Sequence, residues 1–507
     1  MDIFGNLLMG LSVTFEMQNV LYCFVGVLLG TLIGVLPGLG PVATIAMLLP
    51  LTYGLHPTSA LIMLAGIFYG AQYGGSTTAI LINVPGEATS VVTTLDGYQM
   101  AKKGRSGLAL ATAAISSFAA GTVATLLLSL FSPLLAGFAL AFGPAEYFSL
   151  MVLGLVASVV LASGSLLKAF GMILVGLLLG LIGQDVNSGQ TRFTLGYPEL
   201  FDGLGLIIVA MGLFGVCDIV KTLEQPHGAR SVVTKQVAGL IPAVADLKRM
   251  VAPTARGTMI GSLLGVLPGG GALLAPFAAY AVEKRVSRTP EKFGQGALEG
   301  VAAPESANNA GAQMSFVPML TLGIPSNTVM ALMIGALIMQ GIVPGPQVIT
   351  ERPDLFWGLV ASMWLGNLML LVLNLPLISL WVRLLTIPYS VLFPAILVFC
   401  SIGVLSLNSA PFEVGLLGVF TVVGYMLGKF DCEPAPLLLG FILGPMMEEY
   451  LRRSLSVAHG DWSVFLSRPI SATLLIISAL VLLPLVLAPF RATRQIAFRD
   501  SSETGTS

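Results

Sequence analysis

The sequence predicts an all-α polytopic membrane protein of about 12 transmembrane segments. Three observations carry that prediction: the composition, the recurrence of apolar runs of bilayer length, and a Gly/Pro-interrupted motif that occurs twice. Of the 507 residues, 55% are hydrophobic and only 10% charged, against roughly 25% charged in ordinary soluble domains. The mean hydropathy is +0.91. Stretches 21–36, 148–166, 169–182 and 474–487 are apolar almost throughout, and a helix needs about 20 such residues to cross a bilayer. The expected organisation is a first membrane half (1–220), a basic cytoplasmic connection (221–256), a second membrane half (257–490) and a polar cytoplasmic tail (491–507).

Net charge is −1, so bulk electrostatics offer nothing to nucleic acid, and any anion must be met by local groups. Cys23, Cys217, Cys400 and Cys432 lack the paired spacing of metal or redox sites and read as apolar fillers. Residues 1–19 contain Asp2 and Glu16 but no Lys or Arg, unlike a signal peptide, so the first apolar segment is expected to be retained. Basic residues gather at Lys102, Lys103 and Arg105, within 221–256, within 284–292, and at Arg491, Arg494 and Arg499. By the positive-inside rule these stretches face the cytoplasm.

A single apolar block, 257–282, separates two of those basic stretches. Two readings stand: a hairpin that enters and returns around Pro268-Gly269-Gly270-Gly271, or one crossing that obeys the charge rule weakly. The stretch 356–427 carries almost no charge besides Arg383 and Glu413 and reads as lipid-facing or interface scaffold.

The repeated motif is Gly30-Thr31-Leu32-Ile33-Gly34-Val35-Leu36-Pro37-Gly38-Leu39-Gly40, matched by Gly261-Ser262-Leu263-Leu264-Gly265-Val266-Leu267-Pro268-Gly269-Gly270-Gly271. A weaker correspondence follows each copy, between Asn83-Val84-Pro85-Gly86 and Gly323-Ile324-Pro325-Ser326. Hydrophobic segments interrupted by Gly and Pro at matching positions mark a transporter built from repeats, here expected to be inverted.

Helix breaks at mid-membrane have a chemical use. Each half-helix N-terminus offers unpaired N–H groups and a partial positive charge to an anion, without the cost of burying a cation. The candidate substrate-binding residues are therefore Pro37, Gly38, Gly40, Gly75, Ser76, Thr77, Thr78, Asn83, Pro85, Gly86, Gly269, Gly270, Gly271, Ser326, Asn327 and Thr328. Acids at membrane depth are costly and usually functional, which makes Glu87 and Glu305, with Ser306, Asn308 and Asn309, the candidates for a coupling ion. The plainer alternatives are small residues that let helices pack closely and acids that cap helix ends. Asp96 reads as a cytoplasmic loop residue.

Enzyme chemistry is poorly supplied. The chain has three histidines, His56, His227 and His459, and no His-Glu-x-x-His pattern. Ser76 has only His56 as a nearby base and no orienting acid, and no Gly-Lys-Ser/Thr follows Gly74-Gly75-Ser76 to cradle a phosphate. No cofactor, fixed metal or ATP machinery is expected, so energy comes from a Na⁺ or H⁺ gradient or from another subunit. A passive anion channel built from the same breaks is the first alternative, and a membrane enzyme or scaffold the second.

Three first-half strings are Gly34-Val35-Leu36-Pro37-Gly38-Leu39-Gly40-Pro41, Tyr73-Gly74-Gly75-Ser76-Thr77-Thr78-Ala79-Ile80-Leu81-Ile82-Asn83-Val84-Pro85-Gly86 and Asp96-Gly97-Tyr98-Gln99-Met100-Ala101. The second half adds Pro268-Gly269-Gly270-Gly271, Glu305-Ser306-Ala307-Asn308-Asn309-Ala310 and Leu322-Gly323-Ile324-Pro325. Together they resemble the large membrane subunit of the tripartite tricarboxylate transporter family, over roughly residues 10–453. The resemblance implies a secondary transporter of the bacterial inner membrane, acting with a small transmembrane subunit and a periplasmic solute-binding protein. It also implies import of citrate-like di- and tricarboxylates driven by Na⁺ or H⁺. Ser326-Asn327-Thr328 departs from the Gly-Ser that the family more usually has after Ile-Pro. The same triplet is similar to the carboxylate and sodium motif of divalent-anion/sodium symporters.

Overall fold

A computed structural model describes residues 3–36, 39–139, 141–161, 165–185, 188–224, 237, 239–267, 271–385, 389–408 and 410–486. These residues are helical apart from loops and one short ribbon, in which Gly183–Gln184 pairs antiparallel with Thr191–Arg192. Among the described residues, five helices are long and apolar enough to cross a membrane: Met17–Gly34, Ser106–Gly137, Leu206–Glu224, Pro353–Asn374 and Pro411–Lys429. Shorter apolar helices, among them Ile3–Thr14, Leu166–Gly180 and Thr328–Met339, accompany them. Many prolines that interrupt the apolar runs start helices. Pro41, Pro57, Pro353, Pro411 and Pro434 occupy the first turn, where the missing N–H would have had no intrahelical partner.

The glycines at the front of the repeated motif serve packing. Gly26, Gly30 and Gly34 of Met17–Gly34 lie against the Pro57–Ile82 helix, and a Cβ at any of them would overlap the carbonyl oxygens of Met63, Ile67 or Ala71. Gly257, Gly261 and Gly265 of Val244–Gly265 meet the carbonyls of Ala303, Ala307 and Gly311 in the same way. Glycine at every fourth position forms one stripe along a helix, and without side chains on that stripe two backbones can touch.

The block 257–282 is two antiparallel helices rather than one continuous segment. Arg256 in Val244–Gly265 makes two hydrogen bonds of 2.7 Å with Glu283 in Gly271–Val286, which ties the middle of the first helix to the last turn of the second. Ala275 and Ala279 pack with Ala303 and Ala307 of the Glu299–Met314 helix. Residues 268–270, which separate the two helices in sequence, lie outside the described residues, as does the tail 491–507.

The stretch 356–427 divides. Pro353–Asn374 is internal in its first half, where Phe356, Trp357, Val360 and Met363 are buried and Thr14 Oγ1 donates to the carbonyl of Gly358 at 2.9 Å, and exposes Leu368 and Val372 in its second. A helix apolar all round is equally suited to a protein interior or to lipid, so periodicity does not separate them. Pro411–Lys429 keeps Val419, Val422 and Met426 exposed, as a lipid-facing helix would. Cys23, Cys217 and Cys400 are buried, while Cys432 is half-buried.

A second set of helices centres on Pro434–Val457, whose Gly440 lies against the backbone of Ile173 in Leu166–Gly180. The ion pairs Arg192–Glu448 (2.9 Å), Arg452–Asp185 (3.0 Å) and Arg468–Glu146 (2.9 Å) fasten its ends and those of its neighbours.

Asp96, expected in a loop, is fully buried in a helical segment. Its Oδ1 accepts backbone N–H bonds from Gly294, Gly296 and Ala297 at 2.9, 2.7 and 2.7 Å, and its Oδ2 accepts from the Tyr280 hydroxyl at 2.9 Å. One side chain thus anchors the segment that leads into Glu299–Met314. Asp96→Ala strands those donors and is expected to lower stability by about 2 kcal/mol. Thermal unfolding in detergent will show it as a fall in Tm, smaller for Asp96→Asn, which keeps an acceptor oxygen.

Candidate functional site

Two helices end in the same unusual way. Pro57–Ile82 stops at Asn83, left-handed at φ 57°, and Phe316–Leu322 stops at Gly323, left-handed at φ 71°. Short loops follow. Each returns to an extended residue that caps a new helical run: Glu87 in a capping box with Ser90, and Asn327, whose Oδ1 accepts from the N–H of Met330 at 3.0 Å. The first loop folds back so tightly that a Cβ at Gly86 would overlap the backbone of Gly75.

Four helix starts then meet at one cavity of about 310 Å³. They are Gly40 and Pro41 before Pro41–Leu48, Glu87 to Thr89, Ala272 and Leu273 in the first turn of Gly271–Val286, and Asn327 to Val329. The opposite wall comes from other helices and includes Ser158, Phe214, Asp218, Glu433 and Leu439. Gln72 and Asn308 complete the polar lining. Asn308 Nδ2 donates to Glu87 Oε1 at 3.2 Å, and the buried Gln72 Oε1 has no hydrogen-bond partner among the described residues. Among the described residues, no Lys, Arg or His lines the cavity. Its electropositive elements are the helix starts, and an acceptor-rich anion placed there would meet backbone N–H groups.

Of the candidate substrate-binding residues, Gly40, Asn327 and Thr328 line this cavity, as do Glu87 and Asn308 of the ion candidates. Gly75 and Gly86 face each other, Thr77 and Thr78 hydroxyls donate to the carbonyls of Tyr73 and Gly75, and Asn83 and Pro85 shape the first loop. Gly271 packs against the Leu264 carbonyl, Ser326 donates to the Ser315 carbonyl, and Ser306 donates to Ala302 and Ala303. Pro37, Gly38, Gly269 and Gly270 lie outside the described residues.

Ser76, Glu305 and Asn309 join a different cluster. The Glu305 side chain, 2% exposed, accepts from Ser76 Oγ at 2.9 Å, from Thr93 Oγ1, and from Ser117 Oγ at 3.5 Å. Asn309 Nδ2 donates to Ser117 Oγ at 2.6 Å.

Sequence reasoning passed over Gln72, Thr89, Ser158, Asp218 and Glu433 in the cavity, and Thr93 and Ser117 beside Glu305. Asp218, an acid within the apolar run 206–224, and Glu433, immediately before a helix-starting proline, carried a usable signal. The hydroxyls did not, because single Ser and Thr residues are common in tightly packed membrane helices.

The fold and cavity define a multi-pass helical membrane protein with a pocket where helix starts and a few polar side chains meet an otherwise apolar lining. The chain belongs to the tripartite tricarboxylate transporter TctA family, which matches residues 20–439, and it is a transporter component rather than an enzyme. Family membership implies the membrane component of a three-part system, with a second membrane subunit and a solute-binding protein as its partners. The chain is 57% identical over 498 residues to an uncharacterized 52.8 kDa protein in the TAR-I ttuC′ 3′ region of Agrobacterium vitis, covering 98% of this chain and 99% of that one. A protein in the TAR-II ttuC′ 3′ region of the same organism is 58% identical over 238 residues, 47% of this chain and 98% of its own length. No solved structure matches.

Proposed function

We propose that this chain is the membrane pathway of a binding-protein-dependent secondary transporter that imports di- and tricarboxylates across the bacterial inner membrane. The periplasmic protein delivers the anion, and a Na⁺ or H⁺ gradient drives uptake by alternating access. The observation that carries this reading is the convergence of four helix starts on one cavity, a donor-rich arrangement suited to carboxylate oxygens. The matching left-handed helix ends at Asn83 and Gly323, and the matching glycine stripes, support two related halves that supply this cavity from both sides.

The acids in the cavity sharpen the coupling. Glu87, Asp218 and Glu433 share its lining, and Asp218 pairs with Lys221 at 3.6 Å. A polyanion entering this space meets like charge unless protons or cations enter with it. Symport answers that repulsion directly.

The reading is tested by uptake of labelled citrate and smaller dicarboxylates into vesicles holding this chain and its small subunit, with and without the binding protein. Uphill accumulation that needs both the gradient and the binding protein is the expected result. Equilibration indifferent to any gradient would identify a channel instead, and conversion of the carboxylate to a product would identify an enzyme.

A further inference from the structure

We propose that Glu305 and Asn374 form a binding site for one dehydrated monovalent cation of the Na⁺ type, separate from the carboxylate cavity. A small internal cavity of about 20 Å³ lies among Tyr73, Ser76, Thr77, Glu305, Asn374 and surrounding apolar side chains. That volume holds a single water-sized occupant, since about 10–15 Å³ suffices for one.

Three features of its lining call for a cation. The Glu305 carboxyl is buried and takes part in none of the ion pairs among the described residues; its neighbours are hydroxyls that donate hydrogen bonds and bring no positive charge to it. Asn374, 4% exposed, lies at the end of Pro353–Asn374, and its Nδ2 donates to the carbonyl of Leu370 at 2.9 Å. That bond fixes which way the amide faces, and its Oδ1 is buried without a hydrogen-bond partner among the described residues. A buried orphan acceptor is costly, and a bound cation removes that cost at Asn374 and supplies the positive charge that an ionised Glu305 lacks. The Ser76 and Thr77 hydroxyls direct their protons to Glu305 and to main-chain carbonyls, so the lone pairs of these oxygens are available to a metal ion.

The donor set also selects the ion. All of the candidate ligands are oxygens, the preference of hard cations. One carboxylate balances a single positive charge, and no group of three or more His, Cys, Asp or Glu able to hold a metal ion occurs among the described residues. A divalent or transition metal is therefore poorly served.

This site deepens the proposed function and relies on it only for the ion's role in uptake. Glu305 lies three residues from Asn308, on the same face of the Glu299–Met314 helix, and Asn308 lines the carboxylate cavity. Ser76 Oγ reaches both Glu305 and the carbonyl of Gln72, another cavity residue, at 3.3 Å. An ion held at Glu305 fixes the helix turns that present Gln72 and Asn308 to the substrate.

The test needs no substrate. Binding of ²²Na⁺ to the purified full-length chain in nanodiscs, and the shift of its Tm on replacing choline chloride by NaCl at constant ionic strength, are measured with no carboxylate present. Saturable binding and a Na⁺-specific rise in Tm are expected, with affinity lowered at least about tenfold by Asn374→Ala and by Thr77→Val, and lost in Glu305→Gln. Thr473→Val, at an exposed position of the Pro469–Val486 helix and in the lining of neither cavity, leaves Na⁺ binding unchanged. Absence of saturable Na⁺ binding in the unmodified chain overturns the site even if carboxylate uptake is observed. Na⁺ binding that survives Asn374→Ala and Thr77→Val overturns it as well. Na⁺ binding without carboxylate uptake keeps the ion site and removes the transport reading instead.

Discussion

Asn327→Ala will reduce carboxylate uptake about 100-fold at low substrate concentration, a loss of about 3 kcal/mol in transition-state stabilisation. Two contributions make up that figure. The side chain caps Thr328–Met339 through Met330 N–H, an interaction worth about 1 kcal/mol, and its loss lets the first turn of that helix fray where it faces the cavity. A hydrogen bond to a charged carboxylate contributes about 1.5–3 kcal/mol, and Asn327 lines the cavity while its Nδ2 already donates to Ser315 Oγ at 3.1 Å. Asn327→Asp separates the two roles. It retains the cap and the folded chain, but sets another negative charge against the anion, so uptake should fall while Tm holds. Uptake by Asn327→Ala equal to that of the unmodified chain, at equal protein per vesicle, would sink the assignment of this cavity to the substrate.

How much of this was legible in the sequence depends on the range of the interaction. Composition and run length are averages over many residues, and they were enough to define the membrane class. The Gly/Pro breaks are local, and one of them stands directly before each of the four helix starts at the cavity, those of Pro41–Leu48, the run after Glu87, Gly271–Val286 and Thr328–Met339. Within the motif, however, the same residue type performs two tasks. Gly30, Gly34, Gly261 and Gly265 sit inside helices and let backbones touch, whereas Gly40 ends a break and faces the cavity.

The opposite wall was hidden because it comes from segments far away in the chain. Ser158, Asp218 and Glu433 share no motif with the breaks they face. The surroundings of Glu305 were hidden for a related reason, since Ser76, Thr93, Ser117 and Asn374 lie on four separate helical segments. Asp96 shows the converse error. A polar tripeptide beside a basic cluster reads as a surface loop, yet three backbone donors from residues 294–297 bury it.

Leucine at Gly30 or Gly261 will leave no folded chain to recover from the membrane. A Cβ at Gly30 overlaps the carbonyl of Ile67, and one at Gly261 overlaps that of Ala307; these are backbone atoms within helices, so no side-chain rotation relieves the contact. Overpacking of a close interface typically costs about 1–3 kcal/mol, and the cost rises when backbone must move. Alanine at either position should therefore fold with a lowered Tm, whereas leucine forces the Met17–Gly34 and Pro57–Ile82 helices, or their counterparts Val244–Gly265 and Glu299–Met314, apart along their whole contact. The damage also spreads to function, because Pro57–Ile82 presents Gln72 and Glu299–Met314 presents Asn308 to the cavity. Gly418, in the Pro411–Lys429 helix, faces open space, with no atom of the described residues within 4 Å of where a Cβ would stand. Gly418→Ala should accordingly raise stability by up to about 1 kcal/mol through helix propensity alone. Size-exclusion profiles and Tm values of the three sites compared in one detergent decide the matter: if Gly261→Leu is as monodisperse and as stable as Gly418→Ala, the glycine stripe is not what holds these helices together.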